Sequence, residues 1–178
     1  MNTFALQMGH NVTFWINALM LTVIVVSFIG SSLNYRYKSY KLKEKEKGEA
    51  VDAIIEDGKD NIVLIRRRYP PYQGMSALPG GFIEKEREEE DEDAVIREVK
   101  EETGLEVKVT KKAGVFDKKD RDPRDRIVSN VFKCRVIRGK LDPGDDAYEP
   151  RWVSIEIIKD LELAFDHKQM LKKAGYDL

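Results

Sequence analysis

The chain has 178 residues, enough for one domain with a proper core. Its 31 basic and 32 acidic residues nearly cancel, to a net charge of −1, which excludes a broad basic surface for nucleic acid. The single cysteine, Cys134, excludes an internal disulfide, and its apolar strand-like setting reads as a buried core thiol.

Charge is absent from residues 1–35, and the first charged side chain is Arg36. Within that region, residues 12–33 form an uncharged run of 22, long enough to cross a bilayer core of roughly 30 Å as a helix. Trp15 near its start and Tyr35 and Tyr37 past its end fit interfacial belts. The next stretch, "RYKSYKLKEKEKGE", carries six Lys/Arg against three Glu, and the positive-inside rule places it and all that follows in the cytoplasm. The rival readings are a cleaved signal peptide and a buried core helix. Against the first stand the missing basic residues at the amino end and the length of the run; against the second, its apolar character on nearly every face. The chain therefore reads as a membrane anchor (1–35, with a single transmembrane helix over about 12–33), a charged juxtamembrane linker (36–48) and a folded domain (49–178).

In that domain "AVDAIIE", "DGKDN" and "IVLIRRR" predict strand, turn and strand. The prolines and glycines of "YPPYQGMSALPGG" predict a loop. After the acidic "EKEREEEDED", a helix is predicted over about 91–103, with Gly104 placed to end it in a left-handed conformation. "LEVKVT" and "RIVSNVFKCRVI" read as strands around the polar loop "DKKDRDPRD". "LDPGDDAYEP" reads as a loop, "RWVS" as a short strand, "IEIIKDLEL" as a short helix and "AFDHKQMLKKAG" as a closing helix. Strands interleaved with two or three helices point to an α/β or α+β sandwich.

The 91–103 helix holds the most informative cluster. Glu98 lies three residues before Glu101 and four before Glu102, so the carboxylates share a face. Like charges at that spacing cost roughly 0.2–0.5 kcal/mol per pair, and the helix carboxyl end adds negative partial charge. A hard divalent cation with oxygen ligands, commonly magnesium, would reverse the balance; a solvated acidic face is the plainer alternative. The turn "LPGG" at 78–81 lets bare backbone approach a ligand closely, and Arg97 can pair with Asp93 or Glu101 along the helix.

The stretch "GGFIEKEREEEDEDAVIREVKEETGL" resembles the signature of the Nudix hydrolases, G-x5-E-x7-R-E-U-x-E-E-x-G-U with U apolar. Arg97, Glu98, Val99, Glu101, Glu102, Gly104 and Leu105 match its second half. Fifteen residues separate Gly81 from Arg97, two more than in the pattern, which leaves Glu86, Glu88 and Glu89 as candidates for the isolated glutamate. The resemblance implies a Nudix-type α/β/α sandwich with a mixed β-sheet over 49–178. It also implies magnesium-dependent hydrolysis of a nucleoside diphosphate derivative, manganese being a substitute. Glu98, Glu101 and Glu102 match the metal and catalytic glutamates, with main chain at Gly81 as a further oxygen ligand and Arg97 beside them.

"LIRRRYPPYQGMSALPGGFIE", "RDPR", "DDAYEPRW" and "LAFDH" together resemble the ADP-ribose pyrophosphatase branch, with Ser76 and Asp125 departing from its usual tryptophan and glycine. For substrate, Arg66, Arg121 and Arg124 are candidate phosphate or ribose ligands, against solvated charge. Glu149 is a candidate base or further metal ligand, against a surface carboxylate. His167 reads as a structural hydrogen-bonding residue. The leading expectation is a membrane-anchored pyrophosphatase giving AMP and ribose 5-phosphate from ADP-ribose. The alternatives are the same chemistry on an oxidised nucleoside triphosphate or a dinucleotide, or a non-catalytic nucleotide sensor. Dimers are frequent in the resembled branch, which makes a homodimer compatible with it.

Overall fold

Strand β1 (Glu49–Glu56) turns alternate side chains into two separate cores. Val51, Ala53 and Ile55 enter one, and Ile54 enters the other, as the period of two along a strand requires. This computed structural model describes residues 48–142 and 147–178. The expected anchor and nearly all of the linker lie outside the described residues; among those described, no helix is long and apolar enough to cross a membrane. The chain divides into two units, Met1–Glu46 and Lys47–Leu178, and the sheet belongs to the second.

The further strands are β2 (Asn61–Arg67), β3 (Ser76–Ala77), β4 (Gly80–Phe82), β5 (Glu106–Phe116), β6 (Val128–Arg138) and β7 (Ala147–Ser154). They join β1 in one sheet with the order β3-β2-β1-β6-β5, to which β4 adds through β1 and β7 through β2. Among the strand pairings of the described residues only β1–β6 is parallel, which makes the sheet mixed. Helix α1 (Asp91–Thr103) covers one face, packing Ala94, Val95 and Val99 on Val51, Ala53, Ile55 and Phe132. Helices α2 (Ile155–Asp160) and α3 (His167–Lys173) cover the other, where Ile158, Met170 and Leu171 meet Ile54, Leu64 and Val131. The result is the expected α/β/α sandwich. Cys134 is buried in the α1-side core, and its removal from water pushes the thiol up to about 12.

α1 begins with Asp91, Glu92 and Asp93, whose charges suit the positive end of the helix dipole. It ends at Gly104, in the left-handed region at φ 72°, whose N–H donates to Lys100 O. Two local expectations are corrected. The stretch expected to be all loop contains β3 and β4, because residues 80–82 find partners at 50–52 and residues 76–77 at 65–66. Glu149, expected in a loop, lies within β7 at φ 50°, where the register against β2 shifts between Leu64 and Arg66.

Candidate active site

α1 carries Glu98 and Glu102 one turn apart on the side facing β4. Glu102 Oε2 accepts from Gly80 N–H at 2.9 Å. Glu98 is buried against Gly81 so closely that a Cβ added to that glycine would stand 2.4–2.6 Å from its carboxylate atoms. Gly80 is equally constrained from the other direction: its Cβ would stand 2.1 Å from Val51 O. The paired glycines thus permit a backbone turn to lie between strand β1 and two helix carboxylates.

Arg97 organises the edge of this site. It donates from Nε to Glu89 Oε1 at 2.7 Å, from Nη2 to Glu89 Oε2 at 2.9 Å, and from Nη2 to Phe82 O at 3.1 Å. Its Nη1 donates to Glu98 Oε1 at 2.8 Å and to Glu101 Oε2 at 3.2 Å. Glu89 also accepts from Glu84 N–H at 2.8 Å. Of the three upstream candidates, Glu89 is therefore the one brought to Arg97, while Glu86 and Glu88 are exposed. A 3-10 turn, Lys85–Arg87, followed by Glu88 at φ 54°, leads into Glu89. The glutamates do not form a single trio: Glu101 is half-exposed and faces Arg97, while Glu98 and Glu102 face the glycine turn.

The electrostatics separate these carboxylates. The Arg97 hydrogen bonds hold Glu89 below its ordinary pKa, and Glu89 in turn raises Arg97 above its own. Glu102 moves the other way: removal from water and then the charge of Glu98 hold it well above the usual carboxylate range, against the Gly80 N–H and the more remote Arg67. Among the described residues no three His, Cys, Asp or Glu side chains are gathered in a metal-binding geometry. The Glu98–Glu102 pair nevertheless has the donor chemistry of a hard-cation site, two carboxylates one helical turn apart beside a glycine backbone.

The NUDIX domain family model matches residues 46–174. The chain belongs to the Nudix hydrolase family. It is 49% identical over 124 residues to an ADP-ribose pyrophosphatase of Methanocaldococcus jannaschii, covering 69% of this chain and 70% of that protein. A crystal structure of a Streptococcus suis ADP-ribose pyrophosphatase superposes with a TM-score of 0.60 at 25% identity, over 72% of this chain and 89% of that one. The NUDIX domain of Shewanella oneidensis NrtR, complexed with ADP ribose, shares the fold with a TM-score of 0.64 at 24% identity, over 73% of this chain and 87% of that one.

In this Nudix frame the remaining candidates occupy different settings. Arg121 is buried, with Nη2 2.7 Å from Asp166 Oδ1 and Nη1 3.4 Å from Ile127 O. Arg124 pairs with Asp122 at 2.5 Å, and its guanidinium lies 5.1 Å from the Phe82 ring centre and 5.3 Å from that of Phe165. Arg66 is exposed and donates from Nε to Gly74 O at 3.0 Å. Its neighbour Arg67 donates to Pro71 O at 2.8 Å and lies 4.8 Å from the Phe165 ring centre. The charge of Arg67 reaches both Glu102 and His167. Glu149 is exposed on β7. Sequence reasoning passed over Asp52, Ser129 and Phe165. The one available signal for Asp52 was an acidic residue inside the apolar run "AVDAIIE".

Proposed function

We propose that this Nudix hydrolase is a magnesium-dependent pyrophosphatase that cleaves ADP-ribose to AMP and ribose 5-phosphate. The carrying observation is the joint fit of Glu98 and Glu102 against the Gly80–Gly81 turn, in a chain 49% identical over 124 residues to an ADP-ribose pyrophosphatase. Glu98 and Glu102, with main chain at Gly81 and with Glu101 adjacent, would hold the divalent ion, for which manganese can substitute. Such an ion, when bound, supplies charge neutralisation for the diphosphate and a lowered pKa for attacking water. The chain's own part is placement: Arg97 fixes Glu98 and Glu101, and Gly80 N–H fixes Glu102. Arg67 and Arg124, both over the Phe165 ring, would offer positive charge to the substrate diphosphate. Arg66 and the exposed Glu149 remain candidates for phosphate contact and for base or further metal ligand, and Arg121 supports the RDPR loop by holding Asp166.

The deciding experiment is a substrate panel with magnesium. Release of AMP from ADP-ribose supports the proposal. Preferential turnover of an oxidised nucleoside triphosphate or a dinucleotide redirects it within the family, and binding without turnover replaces it with a sensor.

An uncharged run of 22 residues followed by a basic flank supports a single-pass membrane anchor with the catalytic domain on the cytoplasmic side. The full chain then sediments with membranes, and a chain beginning at Lys45 is soluble and active. Light scattering of that shorter chain tests the homodimer compatible with the branch resemblance.

A further inference from the structure

Leu78 opens the turn that meets Glu98 and Glu102, and it is almost wholly buried. Its backbone N–H therefore needs a partner inside the protein. The partner comes from 89 residues downstream: His167 Nδ1 accepts from Leu78 N–H at 2.9 Å. Each succeeding residue of the turn is also held. Pro79 O accepts from Ala53 N–H at 2.8 Å, and Gly80 N–H donates to Glu102 at 2.9 Å. His167 is thus the first of three ties that set where the glycine backbone stands relative to the α1 carboxylates.

The imidazole is itself fixed. Because Nδ1 accepts, the ring proton belongs on Nε2, which lies 3.4 Å from Asp52 Oδ1. The other carboxylate oxygen of Asp52 accepts from Ser129 Oγ. Asp52 is the β1 residue whose backbone is in register with Gly80. His167 therefore closes a loop of contacts running from the head of α3, through β1 and β6, to the turn. Burial favours the neutral ring in which Nδ1 can accept.

We infer that His167 is a positioning residue for hydrolysis, its Nδ1 fixing the Leu78–Gly81 turn that seats Glu98 and Glu102. The inference rests on the pyrophosphatase reading of that site. An Asn at 167 can place a carbonyl oxygen near Nδ1 and still accept from Leu78 N–H; an Ala cannot.

The test compares the parent protein, His167→Ala and His167→Asn with ADP-ribose and magnesium. Thermal unfolding and amide exchange at Leu78 are measured on the same samples. His167→Ala is expected to expose the Leu78 amide to exchange and to lower kcat by about 10- to 100-fold, with KM changed less, at temperatures where it is fully folded. His167→Asn is expected to restore Leu78 protection and most of kcat. Unchanged kcat in a folded His167→Ala variant overturns the positioning role, as does loss of kcat in His167→Asn with Leu78 protection intact. A parent protein that hydrolyses no nucleotide overturns the enzymatic reading and the positioning role with it, whereas an active parent with an indifferent His167 overturns only the latter.

Discussion

Glu89 and Arg97 meet edge to edge, with Nε and Nη2 of the guanidinium on the two carboxylate oxygens at 2.7 and 2.9 Å. Both side chains are mostly buried, so the pair is a fixed element that also aims Arg97 Nη1 at Glu98.

Removing one partner would leave the other charged and poorly solvated. Glu89→Gln is expected to lower stability by about 2–4 kcal/mol in urea unfolding. It also frees Arg97 to shift, so kcat should fall even where the protein remains folded. Glu86→Gln and Glu88→Gln, on exposed side chains, should leave both quantities within about 0.5 kcal/mol of the parent.

The two glycines of the turn should respond differently to a methyl group. At Gly80 the added Cβ meets backbone, Val51 O at 2.1 Å and Asp52 Cα at 2.9 Å, so β1 and β4 cannot keep their register. Gly80→Ala is expected to abolish or severely reduce folding by circular dichroism. At Gly81 the obstacle is the end of the Glu98 side chain, which can swing away. Gly81→Ala should therefore keep the fold with a modest drop in Tm while losing most activity. Equal damage from both substitutions would show that Glu98 is not seated as described.

Glu101 and Glu102 are adjacent in sequence and unlike in setting. Gln at 102 can still accept from Gly80 N–H and removes the repulsion with Glu98, so Glu102→Gln should stay folded while kcat falls by at least about 100-fold, more than loss of a supporting partner typically costs. Glu101→Gln gives up a half-exposed ion pair with Arg97, and a smaller fall is expected. The comparison of kcat in the two variants measures which carboxylates form the working pair.

Why the sequence announced some of this and not the rest follows from range. Glu98, Glu101 and Glu102 sit on one helix whose start, stop and faces are local properties, and Gly104 marks its end. Whether Glu101 turned inward or toward Arg97 depended on what holds Arg97, and its partner Glu89 lies outside the helix, after a 3-10 turn. β3 and β4 were hidden because two- and three-residue strands have no period; pairing with β1 and β2 makes them. Asp52 and His167 lie 115 positions apart, and nothing local to either segment pairs one with the other.

His167 also predicts a pH dependence of stability. Burial, only partly opposed by Asp52, holds its pKa below the ordinary 6.5, so the unfolded chain binds the proton more readily. Stability is therefore lost as the pH falls from about 6.5 toward the folded value, with a slope of at most about 1.4 kcal/mol per pH unit. Glu89, also depressed in the folded state, adds the same sign of loss only below its ordinary 4.5. Urea unfolding of the parent and of His167→Asn, compared between about pH 7.5 and pH 5.5, isolates the histidine because other groups cancel in the difference. The gap between the two curves should narrow or reverse as the pH falls; a constant gap would mean that the ring gains its proton equally in both states.

Arg66 and Arg67 are adjacent in sequence and differ in their partners. Their neighbouring positions on β2 send the side chains to opposite faces, as a strand must. Arg66 reaches Gly74 O in solvent, while Arg67 lies over Phe165, and its charge is felt at Glu102. Arg67→Ala should accordingly lower kcat/KM for ADP-ribose by about 10- to 100-fold, the scale of losing a charge-assisted contact of about 1.5–3 kcal/mol. Arg67→Lys should recover little, because an ammonium cannot stack on the ring as a guanidinium plane does. Arg66→Ala is expected to change kcat/KM by less than about threefold. If Arg66→Ala proved the more damaging of the two, the phosphate-binding side chain would be the exposed one, and the stack on Phe165 would serve the fold alone.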